Sequence, residues 1–106
     1  MTQIFIPNKA GHDFEPAKRY GDLVYVSEGY QDKHATNTMQ RLWQVALKDS
    51  EPTDIIMMAG FGHMQAIGCG MFGHMHGRLN ILIYDPDKKR KYILRQNVFP
   101  VREEEK

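Results

Sequence analysis

Two short segments of the chain hold residue types that suit the binding of an anionic ligand. The first spans residues 8–13 and contains Asn8, Lys9, Gly11, His12 and Asp13. A lysine and a histidine can neutralise a phosphate, whereas an asparagine or an aspartate can bond a ribose hydroxyl or the edge of a base. In the alternative interpretation the segment is structural: Asn8 and Asp13 form Asx turns and His12 braces the loop.

The second segment is a glycine corner, Gly60-Phe61-Gly62, followed by His63. Glycines leave the backbone amides of such a corner open to a phosphate, and the N-terminus of the helix that follows attracts negative charge. The corner lacks the lysine and hydroxyl residue of a Walker A loop, and it does not complete a dinucleotide-binding fingerprint. It is equally compatible with a simple tight turn.

Both segments directly follow predicted strands, at residues 2–6 and 54–58. The carboxyl ends of parallel strands meet at one edge of a sheet, and open α/β folds bind their ligands there. If the two strands run parallel, the loop and the glycine corner form one site. The residues predicted to bind the ligand are Asn8, Lys9, Gly11, His12, Asp13, Gly60, Phe61, Gly62 and His63.

The histidines do not have the spacing of metal ligands. His74 and His76 point about 160° apart on a helix, so they cannot chelate one ion. We therefore expect no metal site and no cofactor. Acid–base catalysis by His12 with Asp13, as in a small phosphodiesterase-like hydrolase, stays open as an alternative. The single cysteine, Cys69, excludes an intrachain disulfide and is expected to be an inert residue of the core.

The elements that must position these segments alternate between strand and helix. Further strands are predicted at residues 23–26, 79–84 and 91–95, with one helix that begins near Thr36 or Asn37 and a second over residues 63–76. We predict a single α/β domain over residues 1–106, in two or three layers. It would contain a mixed, mostly parallel sheet of four or five strands, two main helices and a C-terminal β-hairpin. The tail, residues 101–106, is expected to fray.

Residues 55–77 form a stretch of 23 residues without Asp, Glu, Lys or Arg. Such a stretch is long enough to cross a bilayer. Its six glycines, three histidines and one glutamine nevertheless favour a buried strand-turn-helix unit. The N-terminus also lacks a secretory signal. We expect a cytoplasmic protein that does not enter the membrane.

The predicted second helix carries a stripe of small residues. Gly62, Ala66, Cys69, Gly70, Gly73 and Gly77 fall within roughly 100° of one another. Ile67, Met71, Met64 and Met75 occupy the other side. A helix with no ordinary solvent face is expected to be buried on both sides. The stripe then lies either on its own sheet or against another copy, which predicts a homo-oligomer through residues 62–77.

The charge balance excludes one class of partner. Fourteen Lys and Arg against thirteen Asp and Glu give a net charge of +1. Proteins that bind duplex DNA usually carry a larger basic excess, so we do not expect such binding. The basic run at residues 88–91 is predicted to be a solvated hairpin turn, with a phosphate or nucleic-acid contact as the alternative.

Three motifs resemble those of small accessory proteins encoded by tailed bacteriophages, over most of the chain. They are Pro7-Asn8-x-x-Gly11-His12-Asp13-Phe14, Ala17-x-x-Tyr20-Gly21 and His76-Gly77-Arg78-Leu79-Asn80-x-Leu82-Ile83-Tyr84. The resemblance implies a viral protein that acts in the host cytoplasm. Such proteins commonly bind and disable a host polymerase, a nuclease or a nucleotide second messenger of defence.

These observations predict a protein that binds a phosphate-containing small ligand, such as a nucleotide-derived defence signal, without catalysis. One alternative is a protein–protein inhibitor or assembly component that uses Tyr20, Tyr30, Phe99 and the basic hairpin. A further alternative is the hydrolase centred on His12 and Asp13.

Overall fold

A five-stranded sheet organises the chain. The computed structural model describes residues 1–9, 13–29, 32–60, 62–88 and 91–100. Its elements are β1 (Gln3–Ile6), a 3-10 helix (Glu15–Tyr20), β2 (Asp22–Tyr25), α1 (Thr36–Leu47), β3 (Ile55–Met57), α2 (Gly62–His76), β4 (Arg78–Asp85), a 3-10 turn (Pro86–Lys88) and β5 (Lys91–Val98). The strand order is β2-β1-β3-β4-β5. All neighbours are parallel except β4 and β5, which form an antiparallel hairpin. The predicted α/β class is confirmed.

Two hydrophobic clusters lie on opposite faces of the sheet. On one face α1 and α2 cover the strands; this cluster comprises Phe5, Val26, Met39, Trp43, Leu47, Ile56, Met64 and Phe72. On the other face the 3-10 helix and the residue before it cover the strands; this cluster comprises Ile4, Ile6, Phe14, Ala17, Ile55, Met57 and Leu82. The domain therefore has three layers.

Strands β1 and β3 are buried on both faces. Ile4 and Ile6 point to the side of the 3-10 helix, whereas Phe5 points to α1 and α2. This alternation follows from the two-residue period of a strand. Central parallel strands contact packed layers on both sides, which explains the continuous apolar sequences Ile4-Phe5-Ile6 and Ile55-Ile56-Met57.

The two long helices contact each other through Trp43 and Gly68. The indole Nε1–H of Trp43 donates to the carbonyl oxygen of Met64, at 3.0 Å. A side chain at position 68 would collide with the indole ring, so only glycine lets α2 approach this closely. Helix α1 begins at Thr36, as predicted, but Ala35 takes the N-cap position and no side chain caps the first turn.

The stripe of small residues on α2 does not lie on its own sheet. Gly62, Ala66 and Gly70 are exposed. Of the remaining members, Gly73 faces the ring of Phe99, and Cys69 packs against the cluster beneath α1 and α2. The interpretation that the stripe rests on the sheet is therefore wrong for the three exposed positions. The side of α2 that packs inside the protein carries Met64, Gly68 and Phe72, which are buried.

A buried polar network fixes the edge of the sheet at which β3 begins. Asp54 is nearly inaccessible, and its carboxylate accepts hydrogen bonds from the backbone amides of Gln3 (2.9 Å) and Glu51 (2.8 Å). The side-chain amide of Asn80 donates to the carbonyl oxygens of Pro52 (2.7 Å) and Asp54 (2.8 Å). These bonds connect β1, β3 and β4 at one end, so the three strands keep their register there.

The uncharged stretch 55–77 forms β3, a turn and α2, as predicted. Helix α2 ends at Gly77, whose φ of 66° lies in the left-handed region that glycine adopts most readily. Within the described parts of the chain, no helix combines the length and the apolar character that a membrane span requires. Residues 101–106, for which fraying is predicted, lie outside the described residues.

Candidate functional site

The carboxyl ends of β1 and β3 lie side by side. Ile4 pairs with Ile55 and Phe5 with Ile56 in parallel register, so the segments that follow both strands leave the sheet at the same edge. From β1 the chain continues to β2 on one side, whereas β3 and β4 lie on the other. This is a topological switch point, where open α/β sheets form a crevice outside the strand ends.

A cavity of about 480 Å³ opens at this edge. Its lining consists of Asp13, Phe14, Pro16, Met57, Met58, Ala59, Gly60, Tyr84 and Tyr92. The segment after β1, the end of β3 with the turn that follows it, and the hairpin each contribute a wall. Most of the lining is aromatic or apolar, and Asp13 carries the one ionic side chain among these nine residues.

The aromatic wall is a cross-strand pair on the hairpin. Tyr84 on β4 faces Tyr92 on β5, and their rings meet edge to face with centroids 5.4 Å apart. The Tyr20 hydroxyl donates to the carbonyl oxygen of Tyr92, at 3.0 Å, which ties the 3-10 helix to β5. Burial, followed by the neighbouring Tyr84 and the charge of Asp13, raises the pKa of Tyr92. Like that of any tyrosine, its hydroxyl group is protonated at neutral pH and can donate a hydrogen bond.

Asp13 lies two residues before the 3-10 helix that covers this face of the sheet. Its Oδ1 accepts a hydrogen bond from the backbone amide of Glu15, at 3.0 Å. This is the Asx turn considered for Asp13. The next residue, Phe14, is buried among Ile6 and Met57 and places its ring 6.3 Å from that of Tyr25. The structural and the ligand-binding interpretations of Asp13 are compatible, because Asp13 also lines the cavity.

Gly60 closes the cavity on the side of α2. Its φ of 89° lies in the left-handed region, and a Cβ added there would lie 3.6 Å from the Cβ of Pro7. The segments after β1 and β3 therefore contact each other at this point. The carbonyl oxygen of Gly60 accepts a hydrogen bond from Nε2 of Gln65 at 2.9 Å, and α2 begins at Gly62 with no acidic residue in its first turn.

Lys9 and Asn8 lie away from this cavity. The ammonium group of Lys9 is 5.1 Å from the centre of the Tyr25 ring and lines a second cavity, on the β2 side of Asp13 and Phe14. Asn8 is 9% exposed; its side-chain amide donates to the carbonyl oxygen of Gly29 at 2.8 Å. Its Oδ1 is buried without a hydrogen-bond partner in the described part of the chain.

The predicted site residues thus separate into three groups. Asp13 and Gly60 line one cavity, while Gly62 and His63 are exposed in the first turn of α2. Lys9 and Asn8 lie on the β2 side. The remaining three, Gly11, His12 and Phe61, lie outside the described residues.

Sequence reasoning missed the aromatic and thioether walls of the cavity. Tyr84 and Tyr92 flank the turn of the predicted hairpin, and extending that hairpin outward from its turn pairs them with each other. The hairpin register was therefore the sequence signal that could have predicted the Tyr84–Tyr92 pair. Phe14, Met57 and Met58 gave none, because their position depends on how the 3-10 helix packs over the sheet.

Two further kinds of chemistry concern the Cys69 thiol and the side chains that can bind a metal ion. Burial raises the pKa of the Cys69 thiol, whose Sγ lies 3.9 Å from the sulfur of Met58. Among the described residues, no three His, Cys, Asp or Glu side chains cluster in a way that could hold a metal ion.

Comparison with known proteins places no constraint on this site. No protein-family model, curated protein or solved structure matches the chain.

Proposed function

We propose that the protein binds a nucleotide-like small ligand at the carboxyl edge of the sheet and holds it without converting it. The observation that carries the proposal is the position of the cavity: residues 57–60 and Tyr84 place it at the carboxyl ends of β3 and β4, and residues of the segment after β1 form one of its walls. Ligands of open α/β sheets bind in that crevice. The volume of about 480 Å³ falls within the range of small-molecule sites.

The aromatic wall supports a planar ring as part of the ligand. Tyr84 and Tyr92 are accessible aromatic residues of the lining, and Phe14, Met57 and Met58 complete its apolar part. Stacking of a base on an aromatic side chain contributes about 1–3 kcal/mol and tolerates any base. A nucleobase would therefore occupy the space between the hairpin and the end of β3.

The turn before α2 supports a phosphate at the other end of the ligand. Gly60 in this turn lines the cavity, and α2 begins two residues later. The N-terminus of a helix carries a partial positive charge that favours an anion nearby, and the first turn of α2 has no acidic residue that would oppose it. Since Lys9 lies on the β2 side, backbone amides rather than this lysine would hold the phosphate.

The resemblance to phage accessory proteins suggests the biological role of such binding. A phage protein that retains a nucleotide second messenger would lower its free concentration and so suppress the host response. Sequestration needs binding without turnover.

A thermal-shift screen tests the proposal. The panel contains mononucleotides, cyclic dinucleotides and ADP-ribose derivatives, and at least one should raise the melting temperature of the full chain. A ligand at 100 times its Kd stabilises the native state by about 2.7 kcal/mol. Tyr84→Ala should abolish the shift, whereas Val98→Ala, at an exposed position of β5 outside the cavity, should retain it.

Two other outcomes would contradict binding of a nucleotide without conversion. A broad panel without any stabiliser contradicts nucleotide binding. Hydrolysis of a nucleotide that stops in His12→Ala would support the hydrolase alternative.

A protein–protein interaction is the second candidate, and one surface favours it. Strand β2 is at the edge of the sheet, and an apolar groove separates it from α1. In this groove Val45 is 79% exposed beside Leu42 and Val24. An extended partner segment could add to the free edge of β2 and fill the groove. Capture of one dominant partner that Val45→Glu abolishes and Asp13→Ala retains would support this function.

The three aromatic residues predicted for such an interface differ in their exposure and contacts. Tyr20 is partly buried and its hydroxyl is hydrogen-bonded, so the prediction that it is exposed is wrong. Phe99 is 45% exposed but packs against Gly73. Tyr30 lies outside the described residues.

We further propose that α2 pairs with a second copy of the chain. Gly62, Ala66 and Gly70 are exposed along one side of the helix, where each glycine costs about 1 kcal/mol relative to alanine. Close contact with another helix would offset that cost. Light scattering should give a dimer or larger assembly for the wild type and a monomer for Gly70→Arg. A monomeric wild type at high concentration contradicts this pairing.

A further inference from the structure

Asp13 is the one ionic residue among the nine that line the cavity, and its carboxylate can accept hydrogen bonds from a ligand. An ionised carboxylate offers two oxygens with about four lone pairs and no donor. Oδ1 of Asp13 uses one lone pair for the amide of Glu15. Asp13 is exposed and lines both this cavity and the second cavity, so its other lone pairs can be reached by a ligand that lies beside residues 13–16. A ligand that presents two neighbouring donors would match them best.

The nucleobases differ in whether their edges present two neighbouring hydrogen-bond donors. The guanine edge places N1–H beside the 2-amino group, which gives two parallel donors at the spacing of carboxylate oxygens. Adenine and cytosine place one amino group beside a ring nitrogen that is an acceptor, and the carboxylate repels that nitrogen. Uracil places its single N–H between two carbonyl oxygens.

We propose that the cavity is selective for guanine, with the Asp13 carboxylate accepting hydrogen bonds from N1–H and the 2-amino group. The purine ring lies against the wall that Tyr84 and Tyr92 form. This inference rests on the proposed nucleotide binding and specifies which base the site selects.

The hydroxyl group of Tyr92 completes the match. A tyrosine hydroxyl is protonated at neutral pH, and burial, followed by Tyr84 and the charge of Asp13, raises the pKa of Tyr92 further. A neutral phenol supplies a donor for O6, which is the acceptor next to N1–H on guanine. Asp13 and Tyr92 together therefore present one acceptor group and one donor to the same edge of the base.

Four mononucleotides with the same ribose and phosphate test the selectivity: GMP, IMP, AMP and XMP, titrated calorimetrically into the full chain. GMP should bind most tightly. IMP lacks the 2-amino group and should bind at least about tenfold more weakly, because one bond to a charged acceptor is lost. AMP should bind more weakly than IMP. Equal Kd values for GMP and AMP would overturn the proposal.

The variant Asp13→Asn tests the residue itself. Asparagine replaces one acceptor oxygen by an NH2 donor, and xanthine carries a carbonyl oxygen where guanine carries the 2-amino group. The variant should therefore prefer XMP to GMP. Its Oδ1 can still accept from the amide of Glu15, so its melting temperature should match that of the wild type. Loss of GMP binding in a folded variant without any gain for XMP contradicts the assigned pairing.

Failure of this inference can be told apart from failure of the proposed function. If AMP binds as tightly as GMP and Tyr84→Ala abolishes both, the site binds nucleotides without selecting guanine. If neither these four nor the wider panel binds, both proposals fail. A guanine base can arrive in a mononucleotide or in a cyclic dinucleotide, and comparing GMP with cyclic di-GMP distinguishes the two sources.

Discussion

The indole ring of Trp43 covers Gly68 and fills the space that a side chain at that position would need. Two residues further along α2, Gly70 faces open space. The same substitution in one helix therefore has opposite expected effects at the two positions.

Gly68→Ala should lower the free energy of unfolding by about 1–3 kcal/mol, because the new methyl group forces Trp43 or α2 to move. Gly70→Ala should instead raise the free energy of unfolding of a single protomer by up to about 1 kcal/mol, since alanine favours the helix and its methyl group meets no neighbour within the chain. Urea denaturation of both variants measures the difference. Equal destabilisation by the two substitutions would contradict the packing of α1 on α2.

Gly60→Ala should destabilise the protein by about 1–2 kcal/mol, because a φ of 89° places Cβ against its own backbone. The control is Gly62→Ala, at a position with open space where the helix has already begun. Thermal unfolding of the pair should give a lower melting temperature for Gly60→Ala alone. If Gly60→Ala unfolds at the wild-type temperature, the turn after β3 has a different conformation.

Asp54→Ala should lower the free energy of unfolding by about 1–3 kcal/mol, because the buried amides of Gln3 and Glu51 lose a charged acceptor. Asp49→Ala is the matched control, since Asp49 is exposed and such surface changes stay within about 0.5 kcal/mol. Chemical denaturation provides the measurement. The effect would be similar at both positions if the network around Asp54 did not form.

The Cys69 thiol should react with iodoacetamide much more slowly at pH 8 than the thiol of an unstructured peptide. Burial raises its pKa, so the native protein holds less of the reactive thiolate at that pH. Because the native pKa exceeds the unfolded one, this group contributes stability at low pH that is lost as the pH rises through the native pKa. Alkylation at the rate of the free peptide would show that the thiol is accessible.

Short local sequence patterns predict the elements of the fold. The apolar sequences Ile4-Phe5-Ile6 and Ile55-Ile56-Met57 predict central strands, and the glycine at position 77 predicts the end of α2. Each signal depends on a few neighbouring residues, so the elements and the mostly parallel sheet could be predicted. The start of α1 near Thr36 could be predicted as well, but its cap could not: Thr36 and Asn37 are both residue types that cap helices, whereas Ala35 takes the N-cap position.

The candidate site could be predicted only in part, because its walls come from distant parts of the chain. Asp13 and Gly60 were recognisable as residues that follow parallel strands. Tyr92 reaches the same cavity only because the 3-10 helix packs across the sheet, and residues 8–20 show no periodicity that predicts this packing. The separation of Lys9 from Gly60 likewise depends on the path of the loop around Phe14.

The buried bonds of Asp54 and Asn80 lie at the opposite end of the sheet from the cavity. The residues that hold the strands in alignment are therefore distinct from those that would recognise a ligand. A substitution of Asp13 or Tyr84 therefore leaves the bonds that align β1, β3 and β4 in place.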